Sequence, residues 1–216
     1  MRACVFAGGP GIDPQSVGII AADCDLVIAA DSGASVAVEC GIIPSRVVGD
    51  LDSIDSETLE FLREKGVEFD TYPVEKDMTD SELCLRQIPE EYEIVMICSL
   101  SGRPDHVLSN MMVALRLHGE GRDITLTDGV SDFIPMCGKD SISISGLQNS
   151  EELVISMIPF TEVKGVSTEG LYYKLDNKDL IPGSSLTVSN RVTQGAESFS
   201  ISANAGNMGV LIVREF

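Results

Sequence analysis

Tryptophan is absent from the sequence, histidine occurs only twice, and no two of the six cysteines form a C-x-x-C pair. The cysteines (Cys4, Cys24, Cys40, Cys84, Cys98, Cys137) therefore argue against both a zinc site and a disulfide framework. Most lie inside apolar segments and read as buried free thiols. No run of 18 or more apolar residues occurs, so no transmembrane helix is expected. The opening stretch MRACVFAGGPGID has an apolar run too short for a signal peptide, which points to a first strand and a cytoplasmic protein. Positive charge is scarce as well: 15 Lys and Arg stand against 34 Asp and Glu, a net charge of −19. Such a surface repels nucleic acid and anionic membranes, and neither is expected as a partner. It tolerates a small cation, whereas an anionic ligand needs metal ions or a local patch of Lys and Arg. Walker A, G-x-G-x-x-G and G-x-S-x-G patterns are missing too.

What is present divides the 216 residues into two halves of different character. Up to about residue 130, the apolar runs RACVFAGG, DLVIAAD, RVVGD, VEFDTYP, EIVMICSLSG and DITLTDG alternate with helical patterns. The helical segments are SVGIIAAD, ASVAVEC, SETLEFLREKG, TDSELCLRQI and DHVLSNMMVALRLHG. This alternation predicts an α/β domain with a parallel sheet flanked by helices. Beyond it, SISIS, ELVISMIPF, GVSTEGLYYKL, SSLTVSN, ESFSISAN and GVLIVREF are short, alternating and separated by turn residues. They predict an all-β domain, a sandwich or barrel, with the sandwich preferred. The boundary is placed near TDGVSDF, giving domains 1–130 and 131–216.

Chemistry is concentrated where the strands of the first half end. Gly8-Gly9, Asp31-Ser32-Gly33, Gly49-Asp50-Leu51-Asp52-Ser53, Glu75-Lys76-Asp77 and Ser101-Gly102-Arg103 all follow apolar runs. In open α/β sheets, ligands bind beyond the carboxyl ends of the strands. Asp50 and Asp52 are one residue apart, and at about 5 Å with a dielectric near 20 their repulsion is roughly 3 kcal/mol. A divalent cation reverses that cost. Thr79-Asp80-Ser81-Glu82 fits a capping box, with Asp80 either favouring the helix dipole or holding a ligand. A helix start with a threonine hydroxyl and a nearby lysine is equally a phosphate site. In SLSGRPDHVLSNMMVAL, Asp105 is expected to cap the next helix, with His106 and Asn110 one turn apart and Arg103 able to grip phosphate. No function is assigned to His118. The D-x-D of Asp50 and Asp52 also suggests a phosphatase, but Ile54 stands where that pattern needs Thr or Val, and the motif follows the third strand.

AADSGAS, GDLDS, EKDMTDSELCL and SGRPDHVLSNMMVAL occur in an order and spacing that resemble the thiamine pyrophosphokinase family. ISMIPF, GVSTEGLYYKL and GSSLTVSN are similar to elements of that family's C-terminal domain. The resemblance implies transfer of a diphosphoryl group from ATP to the hydroxyethyl oxygen of thiamine, with Mg²⁺ as cofactor. It also implies a homodimer, with ATP on the α/β half and thiamine on the β half of the partner subunit, so that the active site lies at the subunit interface. Carried over residue by residue, Asp50, Asp52 and Asp80 would hold Mg²⁺, with Arg103 and Asp105 completing the catalytic set. Asp31, Ser32, Gly33, Ser53, Lys76, Asp77, Thr79, His106 and Asn110 would line the nucleotide site. Ser189 and Asn190 would meet thiamine. One departure concerns the acceptor: some members place a tryptophan after the S-N pair, and this chain has Arg191 and Val192 there. Tyr172, Tyr173 and Phe199 are the alternatives for stacking. Two other readings fit parts of the pattern: a related pyrophosphokinase with another heterocyclic alcohol, and an acidic nucleotide-binding module without turnover.

Overall fold

A computed structural model describes residues 1–73, 75, 77–147 and 153–214. The chain forms two compact units. One comprises Met1–Val113 and Arg122–Val130; the other comprises Ala114–Gly121 and the chain from Ser131 onwards.

The first unit contains six strands: β1 (Arg2–Gly8), β2 (Leu26–Ala30), β3 (Arg46–Gly49), β4 (Glu68–Thr71), β5 (Glu93–Cys98) and β6 (Ile124–Thr127). They are hydrogen-bonded in the order β6-β5-β1-β2-β3-β4, and all pairs are parallel. The chain builds outward from β1 through β2, β3 and β4, then restarts on the other side of β1 with β5. The switch of direction therefore lies between β1 and β5, where a crevice opens at the carboxyl ends. Five helices follow the strands: α1 (Pro14–Ala22), α2 (Gly33–Glu39), α3 (Ser56–Glu64), α4 (Asp80–Gln87) and α5 (Pro104–Gly119). Phe6, Val17, Ala34, Val47, Leu62 and Ile97 belong to its core.

Helix starts follow capping chemistry. Asp13 accepts from the Ser16 N–H at 3.0 Å and Asp55 from the Thr58 N–H at 2.8 Å. Thr79 Oγ1 accepts from the Glu82 N–H at 3.3 Å, the first half of the expected capping box, while the Glu82 carboxylate takes Arg86 at 3.1 Å. The expected Asp105 cap is displaced. Pro104 occupies the first helical position, Arg103 O accepts the Val107 N–H at 3.1 Å, and Asp105 falls inside the first turn. Proline's fixed φ and missing N–H favour that first position, so the helix begins two residues sooner than an aspartate cap requires.

The second unit is an antiparallel sandwich, as the alternating pattern predicts. One sheet has the order β12-β9-β14-β7, from β7 (Ser131–Cys137), β9 (Leu153–Pro159), β12 (Asn190–Arg191) and β14 (Asn207–Arg214). The other has the order β11-β10-β13-β8, from β8 (Asp140–Ser145), β10 (Val163–Glu169), β11 (Lys178–Leu180) and β13 (Ser198–Ala203). Ile155, Met208 and Val210 of the first sheet share a core with Val166, Phe199 and Ile201 of the second. Sequence pattern misses β7, because Pro135 lies in its middle and reads as a breaker, yet Pro135 pairs with Gly209 of β14. A Cβ at Gly209 would sit inside the Phe133 ring, so the glycine makes room for a buried aromatic. SSLTVSN is not the strand it resembles. Ser184 N–H to Ile181 O (3.2 Å) and Val188 N–H to Ser185 O (3.2 Å) close successive turns; Thr187 O accepts the Met157 N–H of β9 at 3.0 Å, and a strand begins only at Asn190.

His118 Nε2 lies 2.8 Å from Asp140 Oδ2. Burial acts to raise the Asp140 carboxyl, but hydrogen bonds from His118 and the Cys137 and Ser141 N–H groups outweigh it and hold it below the ordinary range. No described helix is long and apolar enough to cross a membrane.

Candidate active site

A cleft of about 500 Å³ opens in the first unit, at the carboxyl ends of β1, β2 and β5 and the starts of α4 and α5. Asp31, Ser32, Asp50, Ser53, Thr79, Asp80, Arg103, His106 and Asn110 line it. Those nine residues come from four separated sequence motifs, which the sheet gathers at one edge. Lining residues that the sequence reading did not single out include Met78, Ser99 and Val107. Ser99 directly follows β5, so its place at a strand exit was the available signal; the others carry none.

The carboxylates are held on strained backbone. Asp31 has φ 44° and Leu51 φ 66°, both in the left-handed region that non-glycine residues rarely adopt. Asp31 is fixed by its N–H on Val48 O (3.0 Å) and its carbonyl on the Ala34 N–H (2.9 Å). The bend at Leu51 turns Asp50 and Asp52 towards one another: the Asp52 N–H donates to Asp50 Oδ1 at 3.3 Å, and Ser53 Oγ donates to Asp52 Oδ1 at 2.9 Å. One carboxylate oxygen from each of Asp31, Asp50 and Asp52 lies within 4.8 Å of the other two. Asp80 is close by, since a Cβ at Gly49 would come 3.1 Å from Asp80 Oδ1 and 3.1 Å from the Asp31 Cβ.

This donor set suits a hard divalent cation, which takes carboxylate oxygens and keeps some waters. An independent feature supports the fit: Asp31 Oδ1 is inaccessible to solvent and has no hydrogen-bond partner. A buried, unsatisfied carboxylate oxygen is costly unless a ligand meets it. The resemblance placed Asp31 with the nucleotide and Asp80 with the metal. The geometry groups Asp31 with Asp50 and Asp52 and sets Asp80 beside them.

Arg103 is the only Lys or Arg among the described lining residues. Its guanidinium grips Asp105 with two hydrogen bonds, Nε–Oδ1 at 3.2 Å and Nη2–Oδ2 at 2.6 Å. The Arg103 hydrogen bond holds the Asp105 carboxyl down at about 2. Asn110 reaches Cys98, whose thiol is pushed up to about 12 by burial and by the charge of Asp128, so this cysteine is inert at neutral pH.

The remaining expected residues have other placements. Gly33 is buried and does not line the cleft, and a Cβ there would run into Phe6 O, so its smallness lets α2 pack on β1. Asp77 is exposed outside the lining, and Lys76 lies outside the described residues. Ser189 and Asn190 belong to the second unit. Ser189 has φ 60° and donates its N–H to Ser156 Oγ at 3.0 Å. Asn190 is buried, with its amide bonded to the backbone of Tyr173 and Arg191.

Comparison with known proteins bears on both units. The family model described as thiamin pyrophosphokinase, catalytic domain, matches residues 19–126. The model described as thiamin pyrophosphokinase, vitamin B1 binding domain, matches residues 147–208. Thiamine pyrophosphokinase of Bacillus subtilis (strain 168) is 29% identical over 213 residues, covering 97% of this chain and 95% of that protein. The crystal structure of thiamine pyrophosphokinase from Bacillus subtilis superposes with a TM-score of 0.82 over 100% of both chains at 24% identity. The structure of thiamin pyrophosphokinase from Candida albicans does so with a TM-score of 0.77, over 99% of this chain and 89% of that one, at 15% identity. At such identities the superpositions establish a common fold.

Proposed function

Because the chain belongs to the thiamin pyrophosphokinase family, we propose that it transfers a diphosphoryl group from ATP to the hydroxyethyl oxygen of thiamine, giving thiamine diphosphate and AMP. The observation that carries this reading is that Asp31, Asp50 and Asp80 line one cleft with Arg103, while Asp52, outside that lining, brings a carboxylate oxygen within 4.8 Å of those of Asp31 and Asp50. Phosphoryl-type transfer through a loose transition state needs positioning and charge neutralisation more than covalent chemistry. Asp31, Asp50 and Asp52, with Asp80 alongside, are the residues that would hold Mg²⁺, which would supply neutralisation of phosphate charge there. Thr79 and the N-terminus of α4 offer a hydroxyl and N–H groups for phosphate oxygens. Arg103 exchanges Asp105 for phosphate and supplies the one fixed positive charge that the described lining contains. Ser32, Ser53, His106 and Asn110 shape the nucleotide pocket around it. Until phosphate takes its place, Asp105, held at about 2 by Arg103, serves as the arginine's counter-charge.

In this reading the 1–130 half takes ATP and the 131–216 half takes thiamine. The enzyme works as a homodimer in the cytoplasm, with the active site formed at the subunit interface. Thiamine is a cation, so a chain of net charge −19 attracts it. The test is AMP release from ATP and Mg²⁺, with and without thiamine, on the wild type and on Asp52→Asn. Thiamine-dependent AMP that is largely lost in the variant is the expected result. AMP release indifferent to thiamine would point to another acceptor, and its absence from folded, ATP-binding protein would leave a binding module.

A further inference from the structure

We propose that Cys4 and Cys24 form a redox-sensitive thiol pair, which hydrogen peroxide closes to a disulfide and a thiol reductant reopens. Neither residue lines the cleft, so the site is independent of the function proposed above.

The pair is assembled where the chain enters β2. Cys24 follows Asp23, the residue that closes α1. Its neighbour Asp25 fastens this turn to the start of β1: the Asp25 N–H donates to Arg2 O at 2.8 Å, and the Arg2 N–H donates to Asp25 Oδ2 at 2.8 Å. Parallel pairing then sets Ala3 beside Leu26 and Cys4 beside Val27. Side chains alternate along a strand, so Cys4 and Phe6 point to one face and share a core with Val17 and Ala21 of α1. Cys24 packs against that same core. The two thiols are hydrogen-bonded to one another, and Cys24 Sγ also donates to Ile20 O at 3.4 Å.

The two thiols differ in access and in acidity. Cys4 is fully buried, whereas Cys24 is half-buried and open to a small solute. The hydrogen bond from Cys4, and then the Arg2 guanidinium, hold the Cys24 thiol below its ordinary value against the opposing effect of burial. The same hydrogen bond, with burial, pushes Cys4 up, so it keeps its proton. Burial pushes up the other four as well, Cys40 to about 11 and Cys98 to about 12, with Cys84 and Cys137 also raised. Cys24 alone among the six is lowered. An accessible thiol of lowered pKa beside a second thiol is the arrangement of an attacking and a resolving cysteine.

The chemistry balances with one peroxide. The Cys24 thiolate attacks a peroxide oxygen, the O–O bond breaks, and hydroxide leaves as Cys24 becomes a sulfenic acid. Cys4 gives its proton to that hydroxide, and its sulfur attacks the Cys24 sulfur. The S–O bond breaks as the S–S bond forms, and the departing hydroxide takes up the proton that Cys24 first lost. Two thiols are thus oxidised by two electrons, and the peroxide is reduced to two waters. The bond closes a loop over residues 4–24, which holds the rest of β1 and all of α1. Closing such a loop restricts the unfolded chain and stabilises the folded one.

The test is peptide mapping of the full chain after peroxide treatment, blocking of free thiols with N-ethylmaleimide and digestion without reductant. Thermal melting is followed on the same samples. The expected result is a cross-linked pair of peptides containing Cys4 and Cys24, reversed by dithiothreitol, with a melting temperature raised by about 5 °C. Cys24→Ser should lose both the cross-link and the rise, while Cys40→Ser should keep both. If Cys24→Ser fails to fold, mapping of the wild type still decides. A Cys24 that stops at the sulfinic acid, pairs with Cys40, joins a second chain or stays unmodified overturns the proposal. So does a Cys4–Cys24 bond that lowers the melting temperature, which would mean that the fold must distort to admit it.

Discussion

In the first unit, reactive groups are carboxylates on bent backbone, with Asp31 and Leu51 both at positive φ. In the second, exposed tyrosines are presented by a buried asparagine that bonds the backbone beneath them. The first arrangement accepts repulsion and strain that only a ligand relieves. The second is satisfied before any ligand arrives. The first region thus concentrates unfavourable energy at a few atoms, whereas the second spends its hydrogen bonds on fixing its own backbone.

That contrast is broken most severely at the carboxylates. Asp50→Asn is expected to lower kcat/KM by about 10²–10³, the scale of removing one preorganised electrostatic contact to a transferring group. Its melting temperature without ligand should not fall, because a repulsive neighbour of Asp52 is gone. Calorimetry beside the kinetic assay checks both parts. A drop in stability as large as the drop in activity would mean that the cluster is structural.

Arg103→Lys comes next. A lysine keeps the charge but loses the planar fork, so the ATP KM should rise about tenfold while the protein melts as the wild type does. Initial rates over an ATP series measure it.

The smallest effect belongs to Asp105. Its carboxyl is held at about 2, below its ordinary value of 3.8, by the Arg103 hydrogen bond. A depressed carboxyl contributes stability that is fully present above its unfolded value and lost as pH falls through its folded one. Melting curves of the wild type and Asp105→Asn should therefore differ slightly above about pH 4 and converge near pH 2. The difference stays small because the two side chains are 73% and 63% exposed. Curves that diverge as pH falls would contradict the pairing.

How much of this was legible in the sequence differs between the same two regions. The parallel sheet was legible because its strands are apolar on both faces and each is followed by a turn carrying Gly, Asp or Ser. The Thr79 cap and the Asp50-Leu51-Asp52 loop were legible because both are local patterns. Asp31 could not be placed with Asp50 and Asp52 from spacing, since the pairing of β2 with β3 brings them together. β7 was hidden by Pro135, whose tolerance depends on its place opposite Gly209. The SSLTVSN turns were hidden because alternation of Leu186 and Val188 suggests a strand, although both side chains are exposed. Asn190 was visible as a motif residue, but its role depends on a hydrogen-bond geometry that no one-dimensional pattern carries.

The most direct measurement is Mn²⁺ binding by isothermal titration, in the presence and absence of a non-hydrolysable ATP analogue, on the wild type, Asp31→Asn and Asp50→Asn. The expected result is a saturable site in the wild type whose affinity falls by a similar factor in both variants, because the two carboxylates share one ion. Wild-type affinity in Asp31→Asn, or no saturable binding in the wild type even with nucleotide, would contradict the assignment of the cluster as the metal centre.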